Sequence, residues 1–90
     1  MSNEGLEAEF AAIRRLWAGV VIAALREMDS GNPEESGAAR RYVMRKHGRT
    51  GVGSIVWICS MLDLDVELLR RMAATRAGRR NLTYITRDLL

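Results

Sequence analysis

The sequence predicts a single small all-α domain over residues 1–90, with four to five helices and a long helix at the N-terminus. Three observations support this class. Apolar residues recur at helical spacing from Leu6 onward, and helix-capping residues and glycines separate the periodic segments. The chain is also 48% hydrophobic and 28% charged, a composition typical of globular proteins. A chain of this length can bury one hydrophobic core.

The first helix is predicted to run from an Asn3 cap to about Asp29, with glutamates near the positive end of its dipole. Its apolar residues recur at alternating steps of four and three, a spacing typical of an a/d seam. This seam consists of Leu6, Phe10, Ile13, Trp17, Val20 and Ala24. A second face also becomes apolar between Leu16 and Leu25. The helix therefore needs a covering partner, which is either the rest of the chain or a second copy, and we expect a homodimer.

The second helix has start and stop signals at both ends. Asn32 is its predicted cap, Pro33 occupies its first position, and Gly48 is expected to close it after a basic last turn that includes His47. The next segment, GRTGVGS from Gly48 to Ser54, is predicted to be a loop. It lacks the lysine followed by Ser or Thr of a P-loop, and no strand precedes it as in dinucleotide-binding folds, so we expect no nucleotide site.

Three further segments complete the prediction. Ser54 caps a short third helix, and Asp65 caps a fourth helix that ends at Gly78. The pair Arg79–Arg80 is then a basic link. The segment Asn81–Leu90 favours a last helix, although the β-branched residues in it also tolerate a strand.

The two halves of the chain carry charges of opposite sign. Residues 1–37 contain three arginines and seven acidic residues, a net charge of −4, whereas residues 38–90 contain eleven basic and four acidic residues, a net charge of +7. Such asymmetry is typical of proteins that bind polyanions. Thirteen of the fourteen basic residues are arginine, whose planar fork of donors suits phosphate, but a GC-rich genome produces the same bias.

The sequence contains no constellation suited to catalysis or to metal binding. His47 is the only histidine, and Cys59, the only cysteine, lies in an apolar run and is expected in the core. Asp63, Asp65 and Glu67 lie close together but lack the twelve-residue frame of a calcium loop, so helix capping explains them better. We therefore expect neither an enzyme nor a cofactor or metal site.

The longest apolar run, Leu16–Leu25, is ten residues long, whereas a helix needs about 20 to span a bilayer. The acidic N-terminal segment also lacks the features of a signal peptide. We expect a cytoplasmic protein without a membrane partner.

Residues 55–74 resemble a helix-turn-helix. The twenty-residue frame of that family has apolar residues at its fourth, eighth, tenth, fifteenth and eighteenth places and a small residue at its fifth, because two helices crossing at about 90–120° need those contacts. Those places hold Ile58, Leu62, Leu64, Leu69, Met72 and, at the fifth, Cys59. The ninth place, normally glycine, is Asp63, which adopts the left-handed conformation less readily.

The resemblance implies that the fourth helix is a recognition helix whose groove-facing places are Asp65, Val66, Glu67, Arg70, Arg71 and Ala74. Glu67 can accept a hydrogen bond from a cytosine amino group, but two carboxylates on this face repel phosphates. Plain packing of two amphipathic helices produces the same spacing, so both interpretations remain open.

The wider arrangement resembles small regulators carried by phages and prophages, above all in the stretches RLWAGVVIAALREM and VWICSMLDLDVELLRRM. The resemblance implies a regulator of transcription that binds duplex DNA. The expected DNA-contacting residues are Arg40, Arg41, Arg45, Lys46, Arg49, Glu67, Arg70, Arg71, Arg76, Arg79 and Arg80. The alternative is a phage-type inhibitor or adaptor that binds a host protein through the same helices and arginines, and these arginines are also compatible with a merely solvated face. The DNA hypothesis requires that the positive side chains after residue 38 converge on one surface.

Overall fold

The computed structural model describes residues 4–46 and 48–89 of the chain. These residues form five helices, which are α1 (Glu4–Met28), α2 (Pro33–Met44), α3 (Ile55–Met61), α4 (Val66–Ala73) and α5 (Arg76–Arg87). The predicted all-α class, with its long N-terminal helix and short α3–α4 pair, is confirmed. The segment after residue 81 is helical, and the predicted Asn3 cap and the role of His47 lie outside the described residues.

The core forms where α2, α3 and α5 pack on the C-terminal half of α1. The buried residues of α1 recur at helical spacing and are Ala18, Val21, Ile22, Ala24, Leu25 and Met28. The other helices cover it with Val43, Ile58, Leu62, Leu69, Ala73 and Leu82, and Cys59 is buried among them as predicted. In the described part of the chain, none of the helices is long and apolar enough to cross a membrane.

The buried stripe of α1 differs from most of the seam that the sequence predicts. Of the seam residues only Ala24 is buried, while Trp17 and Val20 are half-buried at the edge of the core. The first three seam residues, Leu6, Phe10 and Ile13, are exposed. The physical reason is that α1 carries more than one apolar stripe between residues 16 and 25, and periodicity alone does not tell which of them faces the core.

Two helix boundaries correct the sequence prediction. Helix α2 ends at Met44 instead of Gly48, because Arg45 has extended backbone angles (φ −73°, ψ 109°). Helix α4 ends at Ala73 instead of Gly78, and Gly78 lies in the first turn of α5. The Arg79–Arg80 pair is therefore helical and does not form a link.

The start of α5 is determined by Thr75 and Gly78 together. The hydroxyl of Thr75 accepts a hydrogen bond from the Gly78 N–H at 3.0 Å and caps the helix. A Cβ added at Gly78 would overlap the carbonyl oxygen of Met72 in α4. The glycine is thus required by the close approach of α5 to the end of α4, whereas the sequence suggested that it stops a helix.

Candidate nucleic-acid interface

The turn between α3 and α4 has the hydrogen bonds of a Schellman motif. The Leu64 N–H donates to the Cys59 carbonyl at 2.8 Å, and the Asp63 N–H donates to the Ser60 carbonyl at 3.3 Å. The backbone of Asp63 has a φ of 58°, in the left-handed region. It therefore adopts the conformation for which the helix-turn-helix frame normally uses glycine, so the departure at the ninth place does not prevent the turn.

The exposed face of α4 is poor in positive charge. Asp65 caps the helix, because its Oδ1 accepts hydrogen bonds from the Glu67 N–H at 2.9 Å and from the Leu68 N–H at 3.2 Å. The side chain of Leu68 is exposed, and Arg71 is the only exposed cation among the residues of α4. This face therefore provides one guanidinium for a polyanion.

Arg70 is buried, with 5% of its surface exposed, and it serves the end of α2. Its Nε donates to the Val43 carbonyl at 3.0 Å, its Nη2 donates to the Arg45 carbonyl at 3.1 Å, and its Nη1 donates to Glu67 Oε1 at 2.9 Å. These bonds satisfy carbonyls that a helix end leaves without partners, which explains how α2 can end without glycine. Arg70, which the sequence predicts as a DNA contact, is therefore buried and uses all three of its guanidinium nitrogens for hydrogen bonds inside the protein.

Arg79 is 9% exposed and is also used internally. Its Nη1 donates to the Ala73 carbonyl at 2.8 Å, and its Nη2 and Nε donate to Asp29 Oδ1 at 2.6 and 3.1 Å. These hydrogen bonds lower the pKa of Asp29 against an opposing effect of desolvation, and the charges of Arg79, Arg76 and Arg40 lower it further. Arg79, which the sequence predicts as a DNA contact, is therefore paired inside the protein with Asp29, a carboxylate from the acidic N-terminal half of the chain.

Most of the arginines expected to contact DNA line one of two separate hollows that have no lining residue in common. Arg41, Arg45 and Arg49 line a groove of about 890 Å³ between α2 and the loop of residues 48–54. Arg26, Arg76 and Arg80 line a smaller hollow around the Asp29–Arg79 pair. Of the other expected contacts, the exposed Lys46 and Arg71 line neither place, and Arg40 contributes its charge near Asp29.

The groove contains no acidic side chain among the described residues that line it. Arg41 lies in the last turn of α2, and Arg45 is the capping residue that directly follows this helix. Arg49 reaches the same groove from the loop, beside Thr50 and the exposed Val52. Three arginines and one threonine therefore line the groove, a residue set suited to an anion, since each guanidinium can donate two parallel hydrogen bonds to phosphate or carboxylate.

Contacts with Tyr42 and Trp17 hold the loop that forms one wall of the groove. The Tyr42 hydroxyl donates to the Gly53 carbonyl at 2.6 Å, and burial raises the pKa of Tyr42, which keeps the phenol protonated and able to donate. Gly53 has a φ of 86°, and a Cβ added there would lie 3.7 Å from the ring of Trp17. Trp17 packs edge-on against Trp57, with ring centroids 5.1 Å apart. The Ser54 N–H closes the turn on the Gly51 carbonyl at 3.0 Å. The loop wall of the groove is therefore anchored to side chains at the edge of the hydrophobic core.

The sequence predicts the three groove arginines as contacts but does not predict the groove itself. It does not single out Tyr42 or Thr50, and its glycine-rich loop does not match a P-loop. The available signal was the i, i+4 pair Arg41 and Arg45 followed by an arginine inside a glycine-rich loop. Only the fold shows that these groups line one concave surface.

Comparisons with family models, with curated proteins and with solved structures find no match to this chain. The resemblance to helix-turn-helix regulators of phages therefore stays a prediction that rests on the residues alone.

Proposed function

We propose that this protein binds nucleic acid, mainly through the phosphates of duplex DNA, in the groove lined by Arg41, Arg45 and Arg49. The observation that carries this proposal is that three arginines line one concave surface, with no acidic side chain among its described lining residues. Duplex DNA presents closely spaced phosphates, and contacts to them supply most of non-specific affinity.

Binding is expected to show little preference for sequence. Of the six places that the helix-turn-helix frame directs to the major groove, Arg70 is buried, and the carboxylates of Asp65 and Glu67 accept internal hydrogen bonds. Arg71 is the remaining cation on that face. Phosphate contacts position a protein on DNA without reading its sequence, so the groove provides affinity and α4 provides little direct readout. A role in regulating transcription, which the phage resemblance implies, would depend on this binding.

The test is binding of a fluorescent DNA duplex, measured by anisotropy at a series of salt concentrations. We expect the affinity of the wild-type protein to fall steeply with salt. The variant Arg41→Gln/Arg45→Gln/Arg49→Gln should bind at least about tenfold more weakly, and its log–log salt slope should be shallower by about one for each phosphate that the variant no longer neutralises.

The matched control is Arg15→Gln/Arg26→Gln/Arg87→Gln, which removes the same charge from exposed positions outside the groove. This control should keep most of the affinity and of the salt slope. An equal loss in both triple variants would show that only net charge matters and would contradict a site in the groove. Absence of any duplex binding at low salt and micromolar protein would reject the proposal as a whole.

A second candidate function is binding to a host protein through α4 and the arginines, as a phage-type inhibitor or adaptor would do. The observation that favours it is the exposed face of α4, where Glu67 and Leu68 suit a protein partner better than DNA. Carboxylates also accept the paired hydrogen bonds of arginine. If a nuclease-treated host lysate yields a stoichiometric protein partner that the groove variant fails to retain, this candidate is favoured, whereas loss of all partners after nuclease treatment favours DNA.

A further inference from the structure

The first turns of α1 carry an apolar surface that no other described part of the chain covers. Residues 5–13 are exposed throughout. Four large apolar side chains lie on or beside this segment, with exposed fractions of 53% for Leu6, 62% for Phe10, 44% for Ile13 and 64% for Leu16. Groups of exposed apolar side chains of this kind mark interaction sites.

We propose that a second copy of this chain covers this surface, with the two α1 helices antiparallel. Leu6, Phe10 and Ile13 recur at steps of four and three, and the half-buried Trp17 continues the series at the edge of the core. Side chains with this spacing interlock when two helices pack side by side. In the register that we propose, Phe10 packs beside the partner's Ile13, and Leu6 packs beside the partner's Trp17.

The charges beside the seam select this orientation. In the proposed register, Glu7 faces the partner's Arg14, and the two-fold axis repeats this pair on the other side of the interface. The guanidinium of Arg14 is 42% exposed, and its Nη2 lies 3.5 Å from the Leu62 carbonyl and 3.9 Å from the exposed carboxylate of Asp63. A guanidinium has five N–H donors, so Arg14 keeps donors for the pair with Glu7. Glu9, on the other flank of the seam, faces the partner's Leu16 and makes no ion pair.

The position of the domain on α1 favours the same orientation. Helices α2, α3 and α5 pack against the C-terminal half of α1, where the buried stripe begins at Ala18. Two parallel α1 helices would bring both domains to the same end and would place their acidic first turns side by side. In the antiparallel pair the two domains lie at opposite ends of the helix pair. The two helix dipoles then point in opposite directions, which is the favourable arrangement for helices packed side by side.

The first experiment measures molar mass by size-exclusion chromatography with light scattering over a range of protein concentrations. The wild-type protein should form a dimer at micromolar concentration, and Phe10→Glu/Ile13→Glu should be monomeric. Both of these side chains lie outside the core, so the variant should keep the helical circular dichroism of the wild-type protein. A wild-type protein that remains monomeric at the highest concentration, or a dimer that survives this double substitution, would overturn the proposal.

The second experiment tests the register by charge reversal. Glu7→Arg and Arg14→Glu should each raise the dimer dissociation constant by about tenfold, since each converts two attractions into repulsions, and the combined variant should recover most of the affinity. Glu9→Arg is the control and should change the constant less than threefold. If Glu9→Arg rescues Arg14→Glu and Glu7→Arg does not, the helices are parallel and the proposed orientation is wrong.

Discussion

Arg79 donates two hydrogen bonds to a single oxygen of Asp29, at 2.6 and 3.1 Å, and so joins the end of α1 to α5 across 50 positions of the chain. Its third bond, to the Ala73 carbonyl, fixes the end of α4. Arg70 serves the end of α2 in the same way, and Arg14 Nη2 lies 3.5 Å from the Leu62 carbonyl at the end of α3. Three helices thus end on the guanidinium group of an arginine in another helix, and two of these arginines were expected to bind DNA.

Arg79→Met should destabilise the protein by about 1–3 kcal/mol, mainly because it leaves the Ala73 carbonyl without its donor. The Asp29 side chain is 34% exposed, so water partly replaces the hydrogen bonds that it loses. Its neighbour Arg80 is exposed, so Arg80→Met should change the free energy of unfolding by less than about 0.5 kcal/mol. Urea unfolding of both variants measures the difference. Equal effects at the two positions would show that Arg79 is not a structural residue.

The stability of the protein should decrease in acid through Asp29. The hydrogen bonds from Arg79 hold the pKa of Asp29 below its ordinary value, so the folded state favours the carboxylate. This contribution is fully present above the unfolded pKa of about 4 and is lost as the pH falls through that value toward the lower folded pKa. Unfolding free energies measured between pH 7 and pH 3 should therefore fall less in Asp29→Asn than in the wild-type protein.

The partner variant provides the control for this pH dependence. In the Arg79→Met background Asp29 has lost the main cation that lowers its pKa, so adding Asp29→Asn should flatten the pH profile much less than it does in the wild-type protein. If the two substitutions change the profile independently, the Asp29–Arg79 pair is not its source.

Gly78→Ala should destabilise the protein by about 2 kcal/mol, because the added methyl group would overlap the Met72 carbonyl and force α5 away from α4. The matched control is Gly19→Ala, also inside a helix, where no atom lies within 4 Å of the added carbon. This control should gain about 0.5–1 kcal/mol from helix propensity. Thermal unfolding compares the two, and a stabilising alanine at position 78 would contradict the close approach.

Asp63→Gly should be at least as stable as the wild-type protein, since glycine adopts a φ of 58° without steric cost. Asp63→Val should lose about 1–2 kcal/mol, because a β-branched residue is strained in the left-handed region. The exposed pair with Arg14 contributes little to this comparison. Urea unfolding of the two variants tests the Schellman turn, and a valine variant as stable as the glycine variant would exclude the left-handed conformation.

The sequence by itself determined the elements of the fold. The caps Asn32, Ser54 and Asp65 were all predicted, because a capping side chain bonds to backbone groups two or three residues away and needs no tertiary partner. The all-α class was predicted for a similar reason, since helical periodicity is a property of neighbouring residues. The three groove arginines were also among the candidates, but only as members of a larger set.

Tertiary structure alone decided which of the similar residues are used inside the protein. Arg79 and Arg80 are adjacent in sequence, yet one neutralises Asp29 and the other is exposed. Likewise, the end of α2 depends on Arg70, 27 positions away from Val43. The physical reason is that the burial of an arginine depends on an acceptor brought near by long-range packing. The local sequence pattern does not indicate which acceptor will lie near a given arginine. Only the folded chain therefore distinguishes structural arginines from those available to a ligand.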